Sequence, residues 1–106
     1  MTKYNLIMVM DHDEENILFC YRSKDPYKGK YNLVGGKIDA GENYIDSAYR
    51  ELQEETGISK EDICLSPLMD YVWHPANMKM YVFVGILNKE VILEEVLNSE
   101  IFWSYF

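Results

Sequence analysis

Read for its apolar positions, the chain divides into short β-type runs around one helical stretch. Tyr4–Met10 (YNLIMVM) and Ile17–Arg22 (ILFCYR) are rich in branched and aromatic residues. The polar cluster DHDEEN between them reads as the connection of two antiparallel strands, with His12 a solvated loop residue. SKDPYKGK, residues 23–30, mixes Pro, Gly and Lys and reads as an exposed loop. Tyr31–Val34 is a short strand running into Gly35–Gly36. Lys37 and Ile38 resume extended backbone, and Asp39–Gly41 turns the chain towards the helix.

The helix is expected over about Tyr44–Thr56. Asn43 suits its N-cap, and Asp46 stands where a capping-box acid would. Ile45, Ala48 and Leu52 recur at helical spacing and form the stripe that faces the core. Gly57 suits the left-handed position after the last turn, with Ile58 placed to pack back on Leu52. Past the charged turn SKED, Ile63–Trp73 reads as a strand interrupted near Pro67, at an edge or a bulge. HPAN turns the chain into Met78–Leu87, the strongest strand pattern, which makes a hairpin with its predecessor. Lys89–Glu100 reads as part extended, part helical turn, and Ile101–Phe106 as a final strand. Strands, one helix and more strands make an α/β or α+β domain.

Composition narrows the class. With 106 residues, 48% hydrophobic and 26% charged, the chain is expected to be a single folded domain rather than disordered. No apolar run approaches the ~20 residues that span a bilayer, so no membrane partner is expected. The opening MTKYNLIMVM lacks a small-residue cleavage site and reads as structure, not as a signal peptide. Cys20 and Cys64 stand singly in apolar segments and read as buried free thiols, which fits a cytoplasmic setting. The formal charge of −8 argues against a nucleic-acid polymer as partner. The three lysines of residues 23–30 form the one local positive cluster. It reads as a solvated loop or as an edge that steers phosphates.

The end of the predicted helix contradicts the rules that shape its start. Glu51, Glu54 and Glu55 fall at i, i+3 and i+4, where side chains are neighbours and like charges repel. Glu54 and Glu55 also occupy the last turn, where the helix dipole favours cations. A bound divalent cation removes both conflicts. Hard oxygen ligands without histidine favour Mg²⁺, with Mn²⁺ as a substitute.

These glutamates belong to a longer pattern. Gly36, Glu42, Arg50, Glu51, Leu52, Glu54, Glu55, Gly57 and Ile58 match Gly-x5-Glu-x7-Arg-Glu-U-x-Glu-Glu-x-Gly-U, with U a bulky aliphatic residue. Chance gives such a match at roughly one in 10⁹ per starting residue. The stretch resembles the signature of the Nudix hydrolases and departs from it at no specified position. The resemblance implies a mixed β-sheet between helices, an α/β/α sandwich. It also implies metal-dependent cleavage of a phosphoanhydride in a nucleoside diphosphate derivative.

By that resemblance, Glu54 and Glu55 hold the metal, together with the carbonyl of Gly35 or Gly36. Glu51 is the general base or a third ligand. Arg50 orients a glutamate, unless it is a plain surface ion pair, and Glu42 supports the site from behind. Glu100, ahead of the aromatic run IFW, stands where some MutT-like members place a further metal-binding or catalytic acid. Lys37 reads equally as a phosphate contact and as a solvated strand residue. GKYNLVGGKI resembles the same stretch in members that remove oxidised nucleoside triphosphates such as 8-oxo-dGTP. That makes Asn32 a base contact, although it would equally satisfy backbone at a strand end. ADP-ribose and other nucleotide derivatives stay open as substrates, as does a family-derived binding or regulatory module without turnover.

Length sets one more expectation. Family members commonly continue past the last strand into a second helix, whereas this chain stops at IFWSYF. Phe102, Trp103, Tyr105 and Phe106 would then form an exposed apolar patch, covered by a second subunit in a homodimer or marking a truncated chain.

Overall fold

The sheet is built outward from β1 (Thr2–Met10). The computed structural model describes residues 1–22, 31–88 and 99–105, with residues 21, 22, 31 and 99–105 described by backbone alone. The remaining strands are β2 (Asn16–Arg22), β3 (Tyr31–Asn32), β4 (Val34–Lys37), β5 (Ser66–Trp73), β6 (Met78–Ile86) and β7 (Ser99–Tyr105). They run in the order β3-β2-β1-β6-β5, with β4 also paired to β1 and β7 to β2. β1 and β6 are parallel and in register from Thr2–Met78 to Met10–Ile86, and the other pairings are antiparallel. The result is a mixed sheet. Among the described residues it carries one α-helix, α1 (Tyr44–Thr56), packed against β4 and β1.

Alternation along β1 explains its place. Asn5, Ile7 and Val9 point into the core and are 2%, 0% and 0% exposed. Leu18, Val34, Leu52, Ile58 and Phe83 close the core around Ile7 and Val9. Tyr44 fastens the start of the helix to β6, its ring stacked on Tyr81 with centroids 4.9 Å apart. Asp11 closes the first loop by accepting from the Glu15 and Asn16 N–H groups and from Asn16 Nδ2.

Several expectations change. The glycine pair lies inside a strand, β4, opposite Asn5 and Leu6 of β1, and not after one. Gly35 packs so tightly on the Asn5 carbonyl that no side chain fits there. The strand expected from Ile63 begins at Ser66. Ile63 makes only an isolated bridge to Leu87, and the register slips between Pro67 and Met69. Cys64 is exposed, because alternation between buried Ile63 and Leu65 turns it outward, whereas Cys20 is buried. In keeping with the expectation at Pro67, β5 is an edge strand with a register slip, and every residue of it is exposed. β7 begins two residues earlier than expected and pairs along all of β2. Residues 23–30, residues 89–98, and the side chains of the terminal aromatic run lie outside the described residues. The expectations placed on them, the exposed aromatic patch included, do so too. Among the described residues no helix is long and apolar enough to cross a membrane.

Candidate active site

Helix α1 delivers the acidic residues, and its ends are fixed by ordinary capping. Asn43 accepts the Ile45 N–H at 2.9 Å through its side chain. Gly57 takes the left-handed conformation (φ 80°) and donates its N–H to the Gln53 carbonyl. Thr56, buried, donates to the Leu52 carbonyl and accepts from Ile58 N–H, which anchors the turn carrying Glu54 and Glu55. No basic residue offsets the dipole in that turn.

Arg50 is the hub. Its Nε and Nη2 grip both oxygens of Glu42 at 2.7 and 3.0 Å, a forked ion pair. Its Nη1 donates at once to Glu51 Oε1 at 3.1 Å and Glu54 Oε2 at 3.2 Å. Nη2 also reaches the Lys37 carbonyl and lies 3.4 Å from Asp39. This is more than a surface pair: one guanidinium links four acids, and its own pKa is driven up, first by the Glu42 hydrogen bond. The same contact holds the Glu42 carboxyl below its ordinary value. Glu42 thus grips the arginine that holds the glutamates.

Glu51 is far less solvated than Glu54, its side chain 14% exposed against 59%. Burial raises its pKa, with Arg50 opposing the rise and Glu54 adding to it. Its carboxyl lies flat against Gly36: a Cβ there would fall 2.6 Å from the carboxyl carbon. Glu55 turns to the other glycine and accepts the Gly35 N–H at 3.3 Å. The two glycines therefore form a backbone wall along the acidic helix end.

The structure brings Arg50, Glu51, Glu54, Glu55, Glu42, Gly35 and Gly36 together. Lys37 is exposed at the end of β4, beside the Arg50 cluster. Asn32 stands on β3, where its amide oxygen accepts the Leu33 N–H at 2.8 Å, the strand-end role. Glu100 lies within β7, opposite Tyr21 of β2, rather than ahead of the strand. His12 is a half-exposed loop residue beside Asp13.

Two residues of the site were missed in the sequence: Asn5, which accepts the Gly36 N–H, and Ser47, which Asn5 holds in turn. Their signal was present. Asn5 shares an inward face with Ile7 and Val9, and a polar residue there demands a partner.

Among the described residues no three Asp, Glu, His or Cys side chains converge on one point. Arg50 Nη1 stands between Glu51 and Glu54 and supplies the neutralising charge. The donor chemistry still fits a hard divalent cation, with carboxylate oxygens, one of them poorly solvated, and glycine backbone alongside.

The NUDIX domain family model matches residues 2–103. The chain belongs to the Nudix family. Its Nudix domain is 37% identical over 57 residues to an RNA pyrophosphohydrolase of Pelagibacter ubique, covering 54% of this chain and 35% of that protein. It is 29% identical over 82 residues to an oxidized purine nucleoside triphosphate hydrolase of Mus musculus, covering 76% of this chain and 51% of the relative. Among solved structures, a MutT/nudix family protein from Enterococcus faecalis superposes with a TM-score of 0.81 at 22% identity, over 96% of this chain and 42% of that one. That likeness carries the fold. The chain thus spans between a third and a half of the length of these relatives.

Proposed function

We propose that this Nudix domain is a divalent-metal-dependent pyrophosphohydrolase whose substrates are nucleoside triphosphates, oxidised purine forms first among them. The observation that carries the reading is the gathering of Glu51, Glu54 and Glu55 against the Gly35–Gly36 wall, with Arg50 holding two of the three. Glu54 and Glu55 would hold the metal with a carbonyl of the glycine pair. When bound, Mg²⁺ or Mn²⁺ supplies positive charge against the phosphoryl oxygens. Glu51 is the third ligand or the general base. Its raised pKa suits the second task, because a more basic carboxylate takes a proton from water more readily. Arg50 orients Glu51 and Glu54, and Glu42 fixes Arg50. Lys37, exposed beside the cluster, would contact a phosphate. Asn32 retains its amide nitrogen as a donor to a purine edge, and Glu100 is the further acid on β7.

The formal charge of −8 bears on binding as well as on chemistry. An anionic nucleotide approaching this acidic chain is repelled until a cation is present. The relative from Mus musculus supports the oxidised-purine reading, since it matches more of this chain than the RNA pyrophosphohydrolase does. A cytoplasmic location is part of the same proposal.

The test is a screen of the common nucleoside triphosphates, 8-oxo-dGTP and ADP-ribose with Mg²⁺, beside Glu54→Gln. Release of monophosphate and pyrophosphate from a triphosphate is expected, with Glu54→Gln slower by about 10²-fold or more. Turnover untouched by that substitution would sink the site assignment. Nucleotide binding without turnover on any substrate would make the domain a binding module.

A further inference from the structure

A primary amide on a buried strand face costs about 1–3 kcal/mol unless its polar ends are bonded. Asn5 is in that position, 2% exposed in the middle of β1, and both ends are bonded. Nδ2 donates to Ser47 Oγ at 2.9 Å, and Oδ1 accepts the Gly36 N–H at 2.9 Å. The amide orientation is not arbitrary, because the Gly36 N–H can only donate and so requires the oxygen. Ser47, itself wholly buried, donates onward to the Tyr44 carbonyl at 2.7 Å. One side chain therefore joins β1, the first turns of α1 and the glycine strand β4.

Packing alone does not call for this arrangement, since Leu would fill the same space without a desolvation cost. What the amide does that Leu cannot is hold the Gly36 backbone. Gly36 is gripped from behind by Asn5, while its front lies against the Glu51 carboxyl. Gly35, one residue back, abuts the Asn5 carbonyl and gives its N–H to Glu55. Through Ser47 the same amide also holds the helix that carries both glutamates.

We propose that Asn5 is a positioning residue, which sets the separation between the Gly35–Gly36 backbone and the carboxylates of Glu51 and Glu55. The inference rests on the reading of this helix end as a cation site. It goes beyond that reading by giving a role to a residue that touches neither metal nor substrate.

The experiment is a Mn²⁺ titration, with free ion followed by electron paramagnetic resonance, on metal-stripped wild type and three variants. Each is measured well below its unfolding midpoint. Asn5→Leu is expected to weaken Mn²⁺ binding about tenfold or more, the usual effect of losing a group that orients a ligand. Asn5→Leu combined with Ser47→Ala also removes the serine hydroxyl, which in Asn5→Leu loses the amide donor but keeps its bond to the Tyr44 carbonyl. It is expected to regain none of the affinity, because the Gly36 N–H stays unanchored. This double variant also serves if Asn5→Leu alone does not fold. Leu87→Ala, a core truncation just past the far end of β6, is expected to lose at least as much stability while binding Mn²⁺ as wild type does. Wild-type affinity in the Asn5 variants would overturn the inference. So would affinity that simply tracks lost stability through Leu87→Ala. Absence of Mn²⁺ binding by the wild type would overturn the cation reading itself, and the inference with it.

Discussion

Replacing Gly36 with alanine separates the site from the fold. Gly36 does not have a positive φ, so alanine is acceptable to the backbone there. The obstacle is Glu51: the new methyl would lie 2.6 Å from its carboxyl carbon and 2.7 Å from each oxygen. An ordinary contact needs about 3.5 Å, so the carboxyl must retreat by about 1 Å. It is the end of a flexible side chain, and an off-rotamer adjustment costs about 0.5–1.5 kcal/mol. The consequence for chemistry is larger. A displacement of ~1 Å in a reacting or ligating group costs about 10²-fold in rate, or about 2.7 kcal/mol of barrier. Initial rates of pyrophosphate release at saturating Mg²⁺ should therefore fall about 100-fold, with the unfolding midpoint in EDTA shifted by no more than about 8 °C. Gly35→Ala is the contrast. Its methyl would meet the Asn5 backbone carbonyl, which cannot yield without breaking the β1–β4 pairing, so the loss should appear in folded yield first. Turnover by Gly36→Ala within threefold of wild type would refute the reasoning, as would identical failure of the two variants.

Glu51→Gln should stabilise the metal-free protein at pH 7–8. Burial places the folded-state pKa of Glu51 above its unfolded value, so the unfolded chain binds fewer protons between the two, and stability falls as pH rises through the folded value. Removing the charge should raise the midpoint in EDTA, with the gain fading as pH falls below that value. Thermal scans across pH check this, and a lowered midpoint at pH 8 would refute it. Tyr49→Phe should cost about 1–3 kcal/mol in urea unfolding, because Tyr49 Oη accepts the Leu65 N–H at 2.9 Å and Leu65 is buried. Turnover per folded molecule should not change.

The helix and its acidic end were legible because they are local. Asn43, Gly57 and the Ile45–Leu52 stripe set the ends and the buried face from a few neighbouring residues, and the structure agrees with each. The acidic cluster was legible because it breaks local rules. What stayed hidden depends on contacts distant in sequence. Arg50 is one position from Glu51, but its strongest grip is on Glu42, two turns away by way of the loop. The glycine pair read as following a strand. It proved to lie within one, because both glycines pair with Asn5 and Leu6 of β1, far earlier in the chain. The Pro67 signal in β5 was local too, and the structure shows both the edge position and the register slip.

The parallel pairing of β1 with β6 joins the start of the chain to a strand formed long after the helix. Contacts this remote are costly to form, since loop closure must come before they can contribute. Helix α1 and the β5–β6 hairpin can form from nearby residues, yet the glycine wall exists only once β1 is in place between β4 and β6. A half-folded chain would carry the acidic helix without the surface that aims it. The proposed cation site is therefore complete only when β1 is paired, and a chain lacking that pairing should not compete for metal.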